Sequence, residues 1–389
     1  MTEYSGQRTA WWERLRRIFI KCSAQRTKIC LLIKQLAIQL TQQKALGKLL
    51  VMSSVFCLVA CKEPLYLEQR YIFGTLVEVS VYGEHEARAK KAMAAVMQEF
   101  QRLHDQLHAW QPSELSELNA AFAQGREKEV SPELAAIVRD AVQLSAQSGG
   151  LFNPAIGGIV RLWGFQADEF KAVLPDEKQL AEIVAAKPQG IDLSLTPALS
   201  GRERVRSYNK AVQLDLGGYA KGYALDRAAQ ILREQDIPNA LVNIGGNVLA
   251  LGKHGSRAWR VGIQHPRQPG PLATLELHDG EAIGTSGDYQ RYFEVAGQRY
   301  CHVMDPRTGR PVQGVQAATV VTRGPHAGVL SDVASKPLFV AGVAGWRKAA
   351  RNMNVTEALL IDSAGTVHLT AAMQKRLEFM DSKTLQKIE

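Results

Sequence analysis

Cysteine is scarce and unevenly placed in this chain: of five in 389 residues, Cys22, Cys30, Cys57 and Cys61 lie within the first 61 positions and only Cys301 comes later. With Cys61 taken by a lipid, as argued below, a lone thiol excludes an intramolecular disulfide in the mature part, so stability has to come from a buried core. A long hydrophobic run is missing as well. Residues 49–60 are uncharged and mostly apolar for twelve positions, too short to cross a bilayer comfortably, which takes about 20. Charge of one sign is missing beyond the front end. The net charge is +9, yet residues 1–48 hold ten Lys and Arg against two Glu, leaving about +1 for everything after them. The basic balance therefore gives no support to a nucleic-acid partner. Internal repeats, low-complexity runs, a Walker loop and a dinucleotide G-x-G-x-x-G are all lacking.

What is present is a 46% hydrophobic composition, enough at this length for a large core. Lys44 and Lys48 precede the 49–60 run, which reads as a signal-peptide h-region. Leu58-Val59-Ala60-Cys61 then reads as a lipobox, in which small residues admit a processing peptidase and the Cys61 thiol carries the lipid. The alternative is a buried strand ending in an ordinary cysteine; the flanking lysines and the polar chain that follows favour export. Residues 1–48 are long for an n-region and read as a start placed too far upstream or an unusual leader. The expected organisation is a leader over 1–60 and one domain over 61–389, lipidated at Cys61. Such a protein is exported and anchored to a bacterial membrane facing the periplasm or the cell exterior.

Residues 71–82 alternate apolar and polar, with Ile72, Val77, Val79 and Val81 in phase, and read as a strand. Residues 86–108 switch to helical period. Ser131-Pro132-Glu133 is a helix start and Gly149-Gly150 its stop. A further helix is predicted over 176–186, followed by a surface loop through Pro188, Gly190 and Pro197. Residues 217–234 read as a glycine turn feeding a helix, and 240–251 as two short strands pivoting on Gly245-Gly246. Strands are expected over 259–264, 273–277, 292–295, 299–303 and 317–321, and a helix over 326–340. Strands outnumber long crossovers in the second half, which favours an α+β class: mixed, largely antiparallel sheets flanked by helices.

Titratable groups gather at the turns. His302 stands three residues before Asp305, just ahead of Pro306-Arg307-Thr308-Gly309, and Gly284-Thr285-Ser286-Gly287-Asp288-Tyr289 reads as a second polar turn between two strands. Cys301 beside His302 invites a nucleophilic dyad, but adjacent strand residues face opposite sides, so Cys301 reads as packing. In Asp215-Leu216-Gly217-Gly218-Tyr219-Ala220-Lys221-Gly222, glycines at a helix entrance let backbone N–H groups approach an anion, and Lys221 adds a full charge. Taken alone, a structural strand-to-helix turn explains those residues equally well. A lone histidine is as readily satisfied by a turn carbonyl as it is a base. Arg307 and Arg310 read as a solvated turn.

Together, Phe73-Gly74-Thr75, residues 113–119, residues 215–222, Asn243-Ile244-Gly245-Gly246-Asn247, Thr285 through Tyr289 and His302 through Pro311 resemble the FAD:protein FMN transferases, the ApbE-like family, in the family's order over about residues 66–362. The resemblance implies one compact α+β unit holding flavin in a cleft. It implies that FMN passes from FAD to a threonine hydroxyl of an acceptor protein, in a membrane or exported electron-transfer system, with AMP released. By the same resemblance His302 is the base, and Asp305 its orienter or a contributor to the acceptor site. Phe73, Trp110, Leu151, Phe152, Asn153, Asp215, Lys221, Ser286 and Met304 are implied to contact FAD; Trp110 stands where relatives carry Tyr, and Asn153 where they carry Asp. Thr285, Ser286, Asp288 and Tyr289 are expected to form the neighbouring wall.

A magnesium ion is implied on the Gly218 carbonyl, Asp332 and a threonine four residues further on. Here that threonine is Lys336, whose ammonium cannot serve as an oxygen ligand. Three readings follow, in this order: the metal persists with a water in the missing position, the Lys336 ammonium stands in for it, or Asp332 and Lys336 are a structural i, i+4 pair. The alternatives to transfer are an FAD pyrophosphatase giving FMN and AMP, and a non-catalytic FAD-binding lipoprotein.

Overall fold

Nine strands form the central sheet, in the spatial order Leu65–Ile72, Thr75–Tyr82, Ala240–Ile244, Asn247–Leu251, Glu281–Gly287, Val315–Arg323, Glu357–Asp362, Val367–Leu369 and Gln386–Ile388. Neighbours run antiparallel throughout, except for the last pair, which is parallel. The structure is a computed structural model that describes residues 63–167 and 172–388. The lipobox and h-region readings lie outside the described residues.

Successive residues of a strand point to opposite faces, and here both faces are buried. Ala318, Val320, Ala358 and Leu360 join the core under the helices Glu86–Gln106, Ala220–Glu234 and Ala327–Asn352. Ala317, Val321, Leu359 and Ile361 join a second core on the other face. That second core is closed by a three-stranded sheet of Trp259–Gln264, Pro271–Leu277 and Glu378–Phe379. The fold is the α+β arrangement of largely antiparallel sheets with flanking helices read from the sequence.

Several elements differ from the sequence reading. Residues 71–82 are not one strand but part of a hairpin, Leu65–Ile72 against Thr75–Tyr82, turning at Phe73 and Gly74 with φ of 57° and 68°. The expected loop after Pro188 contains the strand Leu193–Pro197, paired with Glu203–Ser207. The helix after His326 runs on to Asn352 across a non-helical Gly342. A further helix, Glu114–Ala123, is set by a capping box between Ser113 and Ser116.

The largest difference is at Gly284–Tyr289, expected to be a turn. Glu281–Gly287 is a strand in the middle of the nine-stranded sheet. Its small residues answer a packing need: a Cβ on Gly284 would sit 2.5 Å from the carbonyl carbon of Ser331, on the helix crossing above. Gly222 does the same from another side, since a Cβ there would lie 2.7 Å from Val329 Cα and 2.8 Å from Asp332 Cβ. Strand, Ala220–Glu234 helix and Ala327–Asn352 helix thus meet backbone to backbone around Asp332. Asp226 fixes the last of these elements, accepting from the N–H groups of Gly328 (2.7 Å) and Val329 (2.9 Å) at the helix start.

Candidate active site

Asp332 is the buried anion of the site, its side chain 1% exposed. One carboxylate oxygen, Oδ2, accepts from Gly222 N at 3.0 Å. The other, Oδ1, accepts from Lys336 Nζ at 2.7 Å and has Lys221 Nζ at 3.8 Å. Burial pushes the acid upward, but the Lys221 and Lys336 charges outweigh it and hold Asp332 below the usual carboxylate range. Lys336 Nζ also donates to the Asp332 carbonyl at 2.7 Å, and burial draws this ammonium below the ordinary lysine range despite its partner. Lys221 is tethered to its own turn through Gly217 O at 3.1 Å.

The turn before Lys221 is as read from the sequence, and its partners are now visible. Asp215 Oδ1 accepts from Gly217 N (2.9 Å) and Oδ2 from Gln166 Nε2 (2.9 Å), which holds the glycines at the helix entrance. Gly218 lies against the Lys336 stem: a Cβ there would be 2.7 Å from Lys336 Cε and 3.4 Å from the Phe152 ring.

His302 joins this cluster electrostatically. Burial first, then the charges of Arg291, Lys221 and Lys336, push its imidazole down to about 3. Its Nδ1 lies 3.2 Å from the Arg291 carbonyl, a group that can only accept, so Nδ1 carries the proton and Nε2 keeps its lone pair. The orienter is therefore a backbone carbonyl and not Asp305. The Asp305 carboxylate takes hydrogen bonds from Arg307 instead, at 2.9 Å from N, 2.8 Å from Nε and 2.7 Å from Nη2. A carboxylate clamped in this way closes its own turn; Arg307 is part of that clamp and not merely a solvated residue.

Other residues singled out in the sequence take several places. Phe73 and Trp110 end a row of rings: Phe73 meets His104 edge-on at 5.7 Å, His104 meets His108 at 5.0 Å, and His108 meets Trp110 at 4.5 Å. Trp110 is 38% exposed and so presents ring surface for stacking. Leu151 and Phe152 pack on the main core. Asn153 is a loop staple, with Oδ1 accepting from Ala155 N and Nδ2 donating to Pro188 O, both at 2.9 Å. Ser286 bonds Ser335 Oγ at 2.8 Å, and Thr285 bonds Thr319 Oγ1 at 2.9 Å. Met304 is buried with Trp163, Phe165 and Phe293, and the Phe165 ring stands edge-on to His302 at 6.4 Å. Asp288 is held by two bonds from Arg267, at 2.7 and 2.5 Å, while burial raises Tyr289 to about 12. Cys301 is buried, with burial pushing its thiol up to about 12, which fits the packing role read from the sequence.

Sequence reasoning missed Arg291, Gln166 and Asp226, which carry no motif of their own. Asn247 was quoted without a role. It is buried, its Oδ1 accepts from Thr285 N at 3.3 Å, and its Nδ2 has no partner among the described residues.

A divalent ion does not fit these residues. Mg²⁺ takes about six oxygens at about 2.1 Å. Here Asp332 offers the only carboxylate of the cluster, both of its oxygens are engaged, and two ammonium groups lie within 4 Å of it. No group of three or more His, Cys, Asp or Glu placed to hold a metal occurs among the described residues. Of the three sequence readings, the seating of the Lys336 ammonium on Asp332 fits the second, an ammonium in the place of magnesium, and the third, a structural pair, and does not fit the first.

Fold and site together define an α+β protein with a cluster of ammonium groups and a neutral imidazole, an arrangement suited to a phosphoanhydride substrate. The ApbE family matches residues 73–360. An FAD:protein FMN transferase of Rhodobacter capsulatus is 42% identical over 87% of this chain and 63% of its own length, so the chain spans somewhat under two thirds of that relative. One from Treponema pallidum is 31% identical over 82% of the chain and 90% of its own length. Among solved structures, the ApbE protein of Thermotoga maritima superposes with a TM-score of 0.73 at 28% identity, covering 80% of this chain and 99% of its own. The Pseudomonas stutzeri flavinyl transferase ApbE superposes at 0.69 and 25% identity, covering 82% and 98%. The chain belongs to the ApbE family.

Proposed function

We propose that this chain moves FMN from FAD onto a threonine hydroxyl of an acceptor protein, releasing AMP. The observation that carries the reading is a neutral imidazole, His302, acted on by the same two ammonium groups, Lys221 and Lys336, that share the buried Asp332. Such groups suit phosphoryl transfer, where most of the catalysis is positioning and charge stabilisation.

The acceptor oxygen forms a bond to the FMN-side phosphorus of FAD. The bond from that phosphorus to the bridging oxygen breaks, and its electron pair leaves with AMP. The hydroxyl proton passes to His302 Nε2, the unprotonated nitrogen. Burial, and then the charges of Arg291, Lys221 and Lys336, depress the imidazole; a negative pyrophosphate offsets those charges, so His302 becomes a stronger base when FAD is in place. Lys221, Lys336 and the backbone N–H of Gly218 face the anionic oxygens, and Trp110 offers the ring surface for the isoalloxazine.

The reaction takes place outside the cytoplasmic membrane, with the chain anchored through Cys61 and the acceptor belonging to a membrane or exported electron-transfer system. This is supported by the uncharged 49–60 run behind Lys44 and Lys48 and by Leu58-Val59-Ala60-Cys61. Intact mass of membrane-extracted protein tests the anchor.

Incubation with FAD and a threonine-containing acceptor segment tests the activity. Transfer adds an FMN mass to the acceptor and releases AMP in equal amount. Free FMN without labelling identifies a pyrophosphatase, and FAD retained without AMP identifies a carrier. His302→Ala lowers labelling by about 10²- to 10⁴-fold while FAD affinity stays close to that of the unaltered chain; near-normal labelling would remove His302 from the mechanism.

A further inference from the structure

We propose that the Lys336 ammonium, seated on Asp332, does the work of a divalent cation, so that this chain handles the FAD pyrophosphate without a metal. The inference rests on the flavin-transfer reading above and goes beyond it in naming the counter-charge.

Four observations carry it. Lys336 Nζ spends two of its three N–H groups on Asp332, at O and Oδ1, both 2.7 Å, which leaves a third to meet an anion. Its stem lies against Gly218, where a Cβ would be 2.7 Å from Cε, and its two bonds to Asp332 seat the ammonium there. Lys221 Nζ stands 3.8 Å from the same carboxylate oxygen. Two ammonium groups on one carboxylate leave a net charge of about +1, and the Arg291 charge acts on His302 as well. A cluster that already carries net positive charge repels a free divalent ion and attracts a pyrophosphate.

The chemistry stays balanced without a metal. Charge gathers on the equatorial and leaving oxygens as the bond to AMP lengthens, and fixed ammonium groups stabilise it there, as a lysine does in phosphate-binding loops. The hydroxyl proton still goes to His302 and the electron pair still leaves with AMP. No further reactant is needed.

The test uses the full chain, FAD and a threonine-containing acceptor segment, in EDTA and in millimolar Mg²⁺, with Mn²⁺ as a separate binding probe read by electron paramagnetic resonance. The expected result is labelling equal to within about twofold in the two media and Mn²⁺ that stays free. In Lys336→Thr, which restores an oxygen ligand, Mn²⁺ binds and labelling becomes metal-dependent by about tenfold or more. A loss of about tenfold for the unaltered chain in EDTA, restored by Mg²⁺, would overturn the proposal, as would one tightly bound Mn²⁺ per unaltered chain. Should neither medium support labelling or FAD retention, the flavin reading itself falls. The Mn²⁺ arm still decides the metal question in that event, because it needs neither flavin nor the variant.

Discussion

Lys336 Nζ and Asp332 Oδ1 stand 2.7 Å apart, one helical turn from each other, at a point where the carboxylate has almost no contact with solvent. The pair is buried, so its two halves do not behave independently. Removing one partner strands a charge in a medium that solvates it poorly.

Lys336→Met is therefore expected to destabilise the fold by about 3 kcal/mol, toward the low end for a broken buried pair because Lys221 remains at 3.8 Å. The double variant Asp332→Asn with Lys336→Met should recover part of that loss. Urea denaturation midpoints of the two variants check this; a single variant as stable as the unaltered chain would show that the pair is not buried as described.

Acid should unfold the protein partly through His302. Its folded value of about 3 lies below the ordinary 6.5. Above 6.5 the imidazole is neutral in both states and contributes nothing to the pH dependence. As pH falls from 6.5 toward 3, the unfolded chain takes up a proton that the folded one refuses, and stability drops by about 1.4 kcal/mol per pH unit from this group. His302→Gln should flatten that slope, as measured by melting temperature between pH 7 and 4. Saturating FAD should move the imidazole upward, visible in its NMR titration.

The backbone crossings predict sharp intolerance. Gly222→Ala and Gly284→Ala each place a methyl group against backbone atoms that cannot yield locally, at a cost of about 1–3 kcal/mol or more. Both should weaken FAD binding as well, because the helix they displace carries Asp332 and Lys336. Thermal melts and flavin fluorescence titrations check the two effects together.

Cys301 should prove chemically silent. With its thiol buried and raised to about 12, it should resist alkylation at pH 8 in the folded protein and react on unfolding. Cys301→Ala should keep acceptor labelling near that of the unaltered chain. Loss of labelling with an intact melting curve would reinstate a thiol in the chemistry.

Much of this was legible in the residues. Val77, Val79 and Val81 alternate because one face of their strand is core, and Ser131-Pro132 starts a helix because its cap and first turn need no partner from elsewhere. Where the reading failed, the deciding force was distant in sequence. Composition makes Gly284-Thr285-Ser286-Gly287 look like a turn, yet those residues are small because a helix 40 and more positions later rests on them. The 71–82 strand broke at Phe73, a non-glycine residue in left-handed conformation that β propensity does not mark. Asp305 was implied by the resemblance to be the orienter of His302 or a contributor to the acceptor site, but the Arg291 carbonyl orients the imidazole and an arginine two residues away claims the carboxylate.

By itself, the order of residues determined most of the elements, the family motifs and the conspicuous lysine at position 336, because local propensity and side-chain chemistry are properties of short stretches. Only the tertiary structure decided which carbonyl orients His302 and that Asp332 is spent on ammonium groups rather than on a metal. Those outcomes depend on three elements, far apart along the chain, meeting at glycines close enough to bury Asp332, whose carboxylate is then met by Gly222 N and by the ammonium groups of Lys336 and Lys221.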